Sequence, residues 1–240
     1  MKEYKIIRYT GIVLGELLAV GTVIFLFAAK RYERLPLAFA TLLIVLLPEV
    51  MERIFKCKLS LPFYVFALLY AVGPMMGQCW NFYYTISWWA KLLHICGGVM
   101  FAIVGAYFFE LMVKQKNSFF ATAVFALCFS VTIAAFWEFA EFGADQFLGM
   151  DMQDDTVING ITSYLLDEGI GVRGSLENIQ SVTVDGIPLP VNGYIDIGLI
   201  DSMLDMMMES LGALITCIIL LLNRGRHSLI RDNRNTKVTN

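Results

Sequence analysis

The side chains in this sequence with most capacity for chemistry are acids and one histidine set inside long apolar stretches. FWEFAEFGAD places Glu138, Glu141 and Asp145 at i, i+3 and i+7, one face of a helix. IDIGLIDSMLDMMMESLGAL places Asp201 and Asp205 at i, i+4, with Glu209 one turn further along. WWAKLLHICGG sets His94 one turn before Gly97 and Gly98. Each ionised group near mid-bilayer costs about 3 kcal/mol on insertion scales, so a group of them predicts a remedy. Three remedies stand open. The acids are protonated, as in a proton relay; they pair with Lys91, Arg173 or the Lys30–Arg34 segment; or they share a divalent cation. Oxygen ligands suit Mg, Ca or Mn, and His94 admits Zn. The candidate site is therefore His94, Glu138, Glu141, Asp145, Asp201 and Asp205. A structural reading stays beside it: Asp201 at a helix start favours the helix dipole, and Asp145 stands in water.

A secondary set comprises Glu16, Glu49, Glu52 and Arg53, with Glu110 at similar depth. Arg53 follows Glu49 by four residues, the spacing of a helical ion pair. The set reads either as a snorkelling ion-pair cluster or as the inward end of a substrate or ion path. Met203 and Met206–Met208 read as packing residues. Trp80, Trp88 and Trp89, with Tyr83 and Tyr84, read as an aromatic interface belt. No Ser-His-Asp spacing, GxSxG, HExxH or phosphate-binding glycine loop is present, so no catalytic residue is assigned.

The elements that must carry these groups follow from composition. Of 240 residues, 58% are hydrophobic and 16% charged, against about 45–50% and 25% in soluble domains. The apolar excess lies in runs near the roughly 20 residues that cross a bilayer. The expected fold class is all-α: a polytopic transmembrane bundle of about six spans, at residues 6–29, 35–55, 61–80, 88–113, 119–142 and 197–222. The first run ends in Lys30-Arg31 without a small-x-small cleavage pattern and reads as an uncleaved span. Pro36 and Pro62 sit at span starts, where a missing N–H costs little. A net charge of −3 without a basic patch argues against nucleic acid as a partner. The five cysteines, Cys57, Cys79, Cys96, Cys128 and Cys217, are scattered and read as packing residues.

Lys30, Arg31, Arg34, Lys91 and Arg173 fall on one side of this topology and the other thirteen of the 18 Lys and Arg on the opposite side. That asymmetry predicts a multi-pass plasma-membrane protein with both termini cytoplasmic. The basic Lys30–Arg34 segment runs against the trend. Residues 144–196 form the expected extracytoplasmic loop. Its nine acids (Asp145, Asp151, Asp154, Asp155, Asp167, Glu168, Glu177, Asp185, Asp196) face one base, Arg173. SVTVDGIPLPV predicts a short β-hairpin turning at Asp185-Gly186. ITSYLLDEG reads as a short helix stopped at Gly169, and residues 223–240 as a cytoplasmic tail.

The order His94-x-x-Gly97-Gly98, then Trp137-Glu-Phe-x-Glu141 with Asp145, then Asp201-x-x-x-Asp205-Met and Gly212-Ala-Leu resembles the YjdF-like bacterial inner-membrane proteins, an uncharacterised family related to the VanZ-like superfamily. The resemblance covers Trp88–Leu222. The chain departs from it at Ala90, where the VanZ-like pattern has an Asp before the Lys, at Glu209, where relatives carry a small residue, and in its longer loop. The resemblance implies where a site lies and carries no activity with it.

Two functional classes follow, with enzyme or non-enzyme left undecided. In the first, an extracytoplasmic site binds a divalent cation or a lipid-linked envelope substrate, through a metal-activated water or carboxylate base if it is catalytic. The alternative is a small proton- or ion-coupled transporter or channel, with the carboxylates as its mouth and Glu16, Glu49 and Glu110 continuing inward. Apolar mid-span stretches such as FAIVGAYFF favour the one-sided site. A third class is an accessory protein whose acidic loop binds a partner. Beyond the lipid bilayer, no partner is specified.

Overall fold

A backbone surrounded by hydrocarbon must satisfy its own N–H and C=O groups, which makes long apolar runs helical. The computed structural model describes residues 2–54, 58–113 and 118–222. Six of its helical stretches are long and apolar enough to cross a membrane: Tyr4–Ala28, Tyr32–Ile54, Leu61–Cys79, Trp89–Met112, Phe119–Leu148 and Leu199–Leu222. The fold is mostly helical with small strand pieces. Cys57 and the expected tail at 223–240 lie outside the described residues.

The helices are α1 (Lys2–Ala28), α2 (Leu35–Ile44), α3 (Leu47–Ile54), α4 (Leu61–Cys79), α5 (Phe82–Thr85), α6 (Trp89–Met112), α7 (Phe119–Leu148) and α8 (Leu199–Leu222). The second span, drawn from sequence as one helix, is broken between α2 and α3. Pro48 has no N–H to return to Ile44, and the turn is closed instead by Leu46 N–H donating to Leu43 O (3.2 Å). At the other end of the chain, α7 continues to Leu148, past the expected end at 142. Asp145 is thus a helical residue rather than part of the loop.

Two compact units divide the chain, one of residues up to Ala134 and from Met207 onward, the other Ala135–Met206. In the first, Val45, Leu59, Phe63, Tyr64, Leu68 and Ala71 form one buried cluster. Ala19, Leu26, Ala38, Met75 and Cys79 form a second. The third is built from small residues of α6, α7 and α8: Ala102, Ala106, Ala123, Ala126, Ala213 and Cys217. Small side chains let backbones approach, which is the main source of helix adhesion in lipid. A Cβ on Gly98 would stand 1.9 Å from Glu209 O, and one on Gly212 would stand 2.2 Å from Ile95 O. These two glycines put the backbones of α6 and α8 in mutual contact.

In the second unit the chain leaves α7 for three two-stranded antiparallel ladders: β1 (Thr156–Ile158) with β6 (Tyr194–Asp196), β2 (Ile161–Ser163) with β3 (Gly174–Leu176), and β4 (Thr183–Val184) with β5 (Ile187–Pro188). Asp185 (φ 50°) and Gly186 (φ 81°) make the β4–β5 turn, as the primed hairpin geometry requires. The helix expected over ITSYLLDEG is corrected: Ile161–Ser163 is a strand. Its β-branched residues alternate in exposure, and no apolar stripe of helical period runs through the segment.

Candidate functional site

All five sequence-predicted acids lie in α7 and the start of α8 within the second unit, and they divide by what they already hold. Asp145 accepts from two backbone amides, Met152 N–H (2.7 Å) and Gln153 N–H (3.0 Å). Asp201 accepts from Asp154 N–H (3.0 Å). Gln153 completes the stitch by donating through Nε2 to Ser202 Oγ. Asp196 accepts Ile200 N–H (2.7 Å) and so caps α8. Asp145 and Asp201, predicted as ligands, therefore position the chain between α7 and β1 with at least one oxygen each. Gly198 has φ 71° and sits against Gln153 Cβ, so it serves this turn.

Glu138 and Asp205 are the inward members of the same group. Both are buried, 5% and 4% exposed, and a carboxylate oxygen of one lies within 4.8 Å of one of the other. Glu141 is at the edge of burial, its Oε1 accepting the indole N–H of Trp137 (2.8 Å). The nearest loop acids are strained by the same accumulation of negative charge. Burial, then the carboxylates of Asp151, Asp205 and Asp155, hold Asp154 above the ordinary carboxylate range. Burial, then Asp151, Asp145 and Asp196, do the same to Asp155. Of the bases proposed as partners, Arg173 and Lys91 are exposed and make no ion pair among the described residues. Arg34 is bound to α4 and its turn through Gln78 O (2.7 Å) and Asn81 Oδ1 (2.6 Å).

His94 belongs to the first unit, on α6. Its Nδ1 lies 3.7 Å from Glu209 Oε2, with Glu209 only 3% exposed. Among the described residues, Glu209 Oε1 has no hydrogen-bond partner. A Cβ on Gly97 would touch both Tyr70 Oη (2.8 Å) and Glu209 Cδ (3.6 Å), so this glycine makes room for both polar groups. Tyr70 was absent from the sequence reading. A tyrosine in mid-span, away from either interface, was the signal available.

The secondary set gains the residue that organises it. Arg8 is 6% exposed and donates through Nη2 to Glu49 Oε2 (2.6 Å) and Glu52 Oε2 (2.7 Å). Its guanidinium lies over the Tyr64 ring (4.2 Å) and the Tyr4 ring (5.2 Å). Glu52 also accepts Leu59 N–H (2.8 Å) and Lys58 Nζ (3.1 Å). Arg53, the partner expected for Glu49 from spacing, reaches it at 3.8 Å but is 79% exposed. Glu16 stands apart from these ion pairs, and among the described residues its Oε1 has no partner.

The geometry defines a polytopic membrane protein with polar groups built into its span ends. The chain belongs to the DUF2238 family of predicted membrane proteins, whose profile matches residues 11–226. It is also 32% identical over 123 residues to an uncharacterised protein of Thermotoga maritima, an alignment covering 50% of this chain and 56% of that protein. The chain thus spans little more than half the length of that relative. No solved structure matches it.

Proposed function

We propose that this membrane protein binds a divalent cation at Glu138 and Asp205, on the extracytoplasmic side of the cell membrane. The observation that carries the reading is the pair of buried carboxylates with oxygens within 4.8 Å. One ion reaches both, since two calcium–oxygen bonds of about 2.3–2.6 Å span up to roughly 5 Å. A shared cation offsets the repulsion between two like charges at low dielectric. Glu141 and Asp201 supply further oxygens. His94 enters the ligand set on its sequence position, as the nitrogen donor that would admit Zn. The bound ion would supply Lewis acidity toward a lipid-linked envelope substrate. The thirteen-to-five distribution of basic residues supports cytoplasmic termini. Kinship with YjdF-like and VanZ-like proteins is part of the same proposal and rests on the motif order alone.

Elemental analysis of the detergent-purified chain tests it. Near-stoichiometric metal is expected in the wild type, falling at least tenfold in Glu138→Gln and Asp205→Asn with helical content kept. His94→Ala reports whether the imidazole contributes. No metal in the wild type after incubation with Mg, Mn, Ca and Zn sinks the reading.

Proton-coupled transport is the second reading, favoured by Glu209 and Glu16, span carboxylates each with an oxygen lacking a partner among the described residues. Proton flux in liposomes, abolished by Glu209→Gln and indifferent to chelators, would select it.

A further inference from the structure

Beyond the carboxylate site, the first unit holds a cavity of about 530 Å³ where α1 meets the end of α4. Its walls are of two kinds. Leu17 and Phe25 are 64% and 54% exposed on a bilayer-crossing stretch, so the apolar wall continues into the lipid-facing surface. The rim is polar: Arg31, Trp80 and Asn81. Trp80 is fixed by donating its indole N–H to Thr22 Oγ1 (3.1 Å). Arg34 takes Asn81 Oδ1, which leaves the Asn81 amide N–H groups as donors at the rim. Arg31 makes no side-chain hydrogen bond or ion pair among the described residues. Glu33, the one acid of this turn, lies 3.6 Å from Arg34.

A cation and amide donors above an apolar wall, beside an interfacial tryptophan, match the two ends of a phospholipid. We propose that this cavity binds a phosphate-bearing anionic lipid. Its phosphate rests on Arg31 and Asn81, and the first methylenes of an acyl chain run along Leu17, Gly21 and Phe25. Free phosphate has no use for the apolar wall, which is why the lipid is the occupant. Gly21 keeps the wall open: a Cβ there meets nothing within 4 Å. The site also gives a reason for Arg31 on the side that the charge count leaves poor in bases: it answers a lipid phosphate, a demand separate from topology.

The test uses the full chain in mild detergent, exposed to phosphatidylglycerol or phosphatidylcholine, with retained lipid counted by native mass spectrometry. One phosphatidylglycerol per chain is expected, and phosphatidylcholine is not retained. Arg31→Gln weakens retention about fivefold, the worth of one basic residue at an anionic surface. Gly21→Leu, at a position where an added Cβ meets nothing within 4 Å, narrows the apolar wall and lowers retention at least fivefold while circular dichroism is unchanged. Equal retention of both lipids, retention unaffected by both variants, or complete displacement by inorganic phosphate each overturns the proposal. The residues are separate from Glu138 and Asp205, so either reading can fail alone.

Discussion

Around Arg8, two carboxylates and two aromatic rings close on one guanidinium; Glu138 and Asp205 bring two carboxylates within 4.8 Å of each other. Both groups bury charge in a chain built largely of apolar helix. The first is satisfied internally: Arg8 has Glu49 and Glu52 within 2.7 Å, and Glu52 holds a backbone amide besides. The second has a single base, Arg173, in its whole stretch of sequence, and that base is exposed. A satisfied pair is complete as folded. Two buried carboxylates brought within 4.8 Å of each other form a pair that one cation can bridge, and that geometry marks it as the functional candidate.

The comparison can be broken by experiment. The largest effect is expected from Arg8→Ala, which strands Glu49 and Glu52: a loss of about 3–5 kcal/mol in unfolding free energy. Arg53→Ala, at an exposed partner of the same Glu49, should cost under about 1 kcal/mol. Denaturation in detergent compares the two, and equal effects would erase the distinction drawn for Arg8. In the carboxylate pair the readout is metal: Glu138→Gln should lose any metal-induced rise in Tm while its stability in metal-free buffer stays near wild type. A strong loss of stability in metal-free buffer would show that Glu138 is a structural partner like Glu52.

The smallest effect concerns pH. Asp154 binds its proton more tightly folded than unfolded, because of burial and then Asp151, Asp205 and Asp155. Its contribution to stability is therefore full below the ordinary carboxylate pKa near 4 and is lost as pH rises through the raised value. Protection factors in residues 149–198, exchange rates referred to the intrinsic rate at each pH, should fall over that window, less so in Asp154→Asn or with a divalent cation present. Protection factors constant across the window would remove Asp154 from the strained group.

Composition and run length sufficed for six helices, because a bilayer admits few other backbones and about 20 apolar residues have one way to cross it. The Asp185-Gly186 hairpin was equally legible, since left-handed dihedrals at both turn positions select those residue types. Local periodicity grouped Glu138, Glu141 and Asp145 on one helix face. It was silent on which carboxylates would be claimed by the backbone of another segment. Asp145 and Asp201 anchor residues 152–154, contacts 7 to 47 positions apart in sequence, whereas Glu138 and Asp205 remain side by side. Spacing pointed Glu49 to Arg53, one turn away, but Arg8 lies 41 residues earlier. Sequence determines which groups a helix face presents, because that depends on a fixed 3.6-residue period. Only the tertiary structure decides which group meets which, because a buried charge takes the partner that packing brings to it, however distant in the chain.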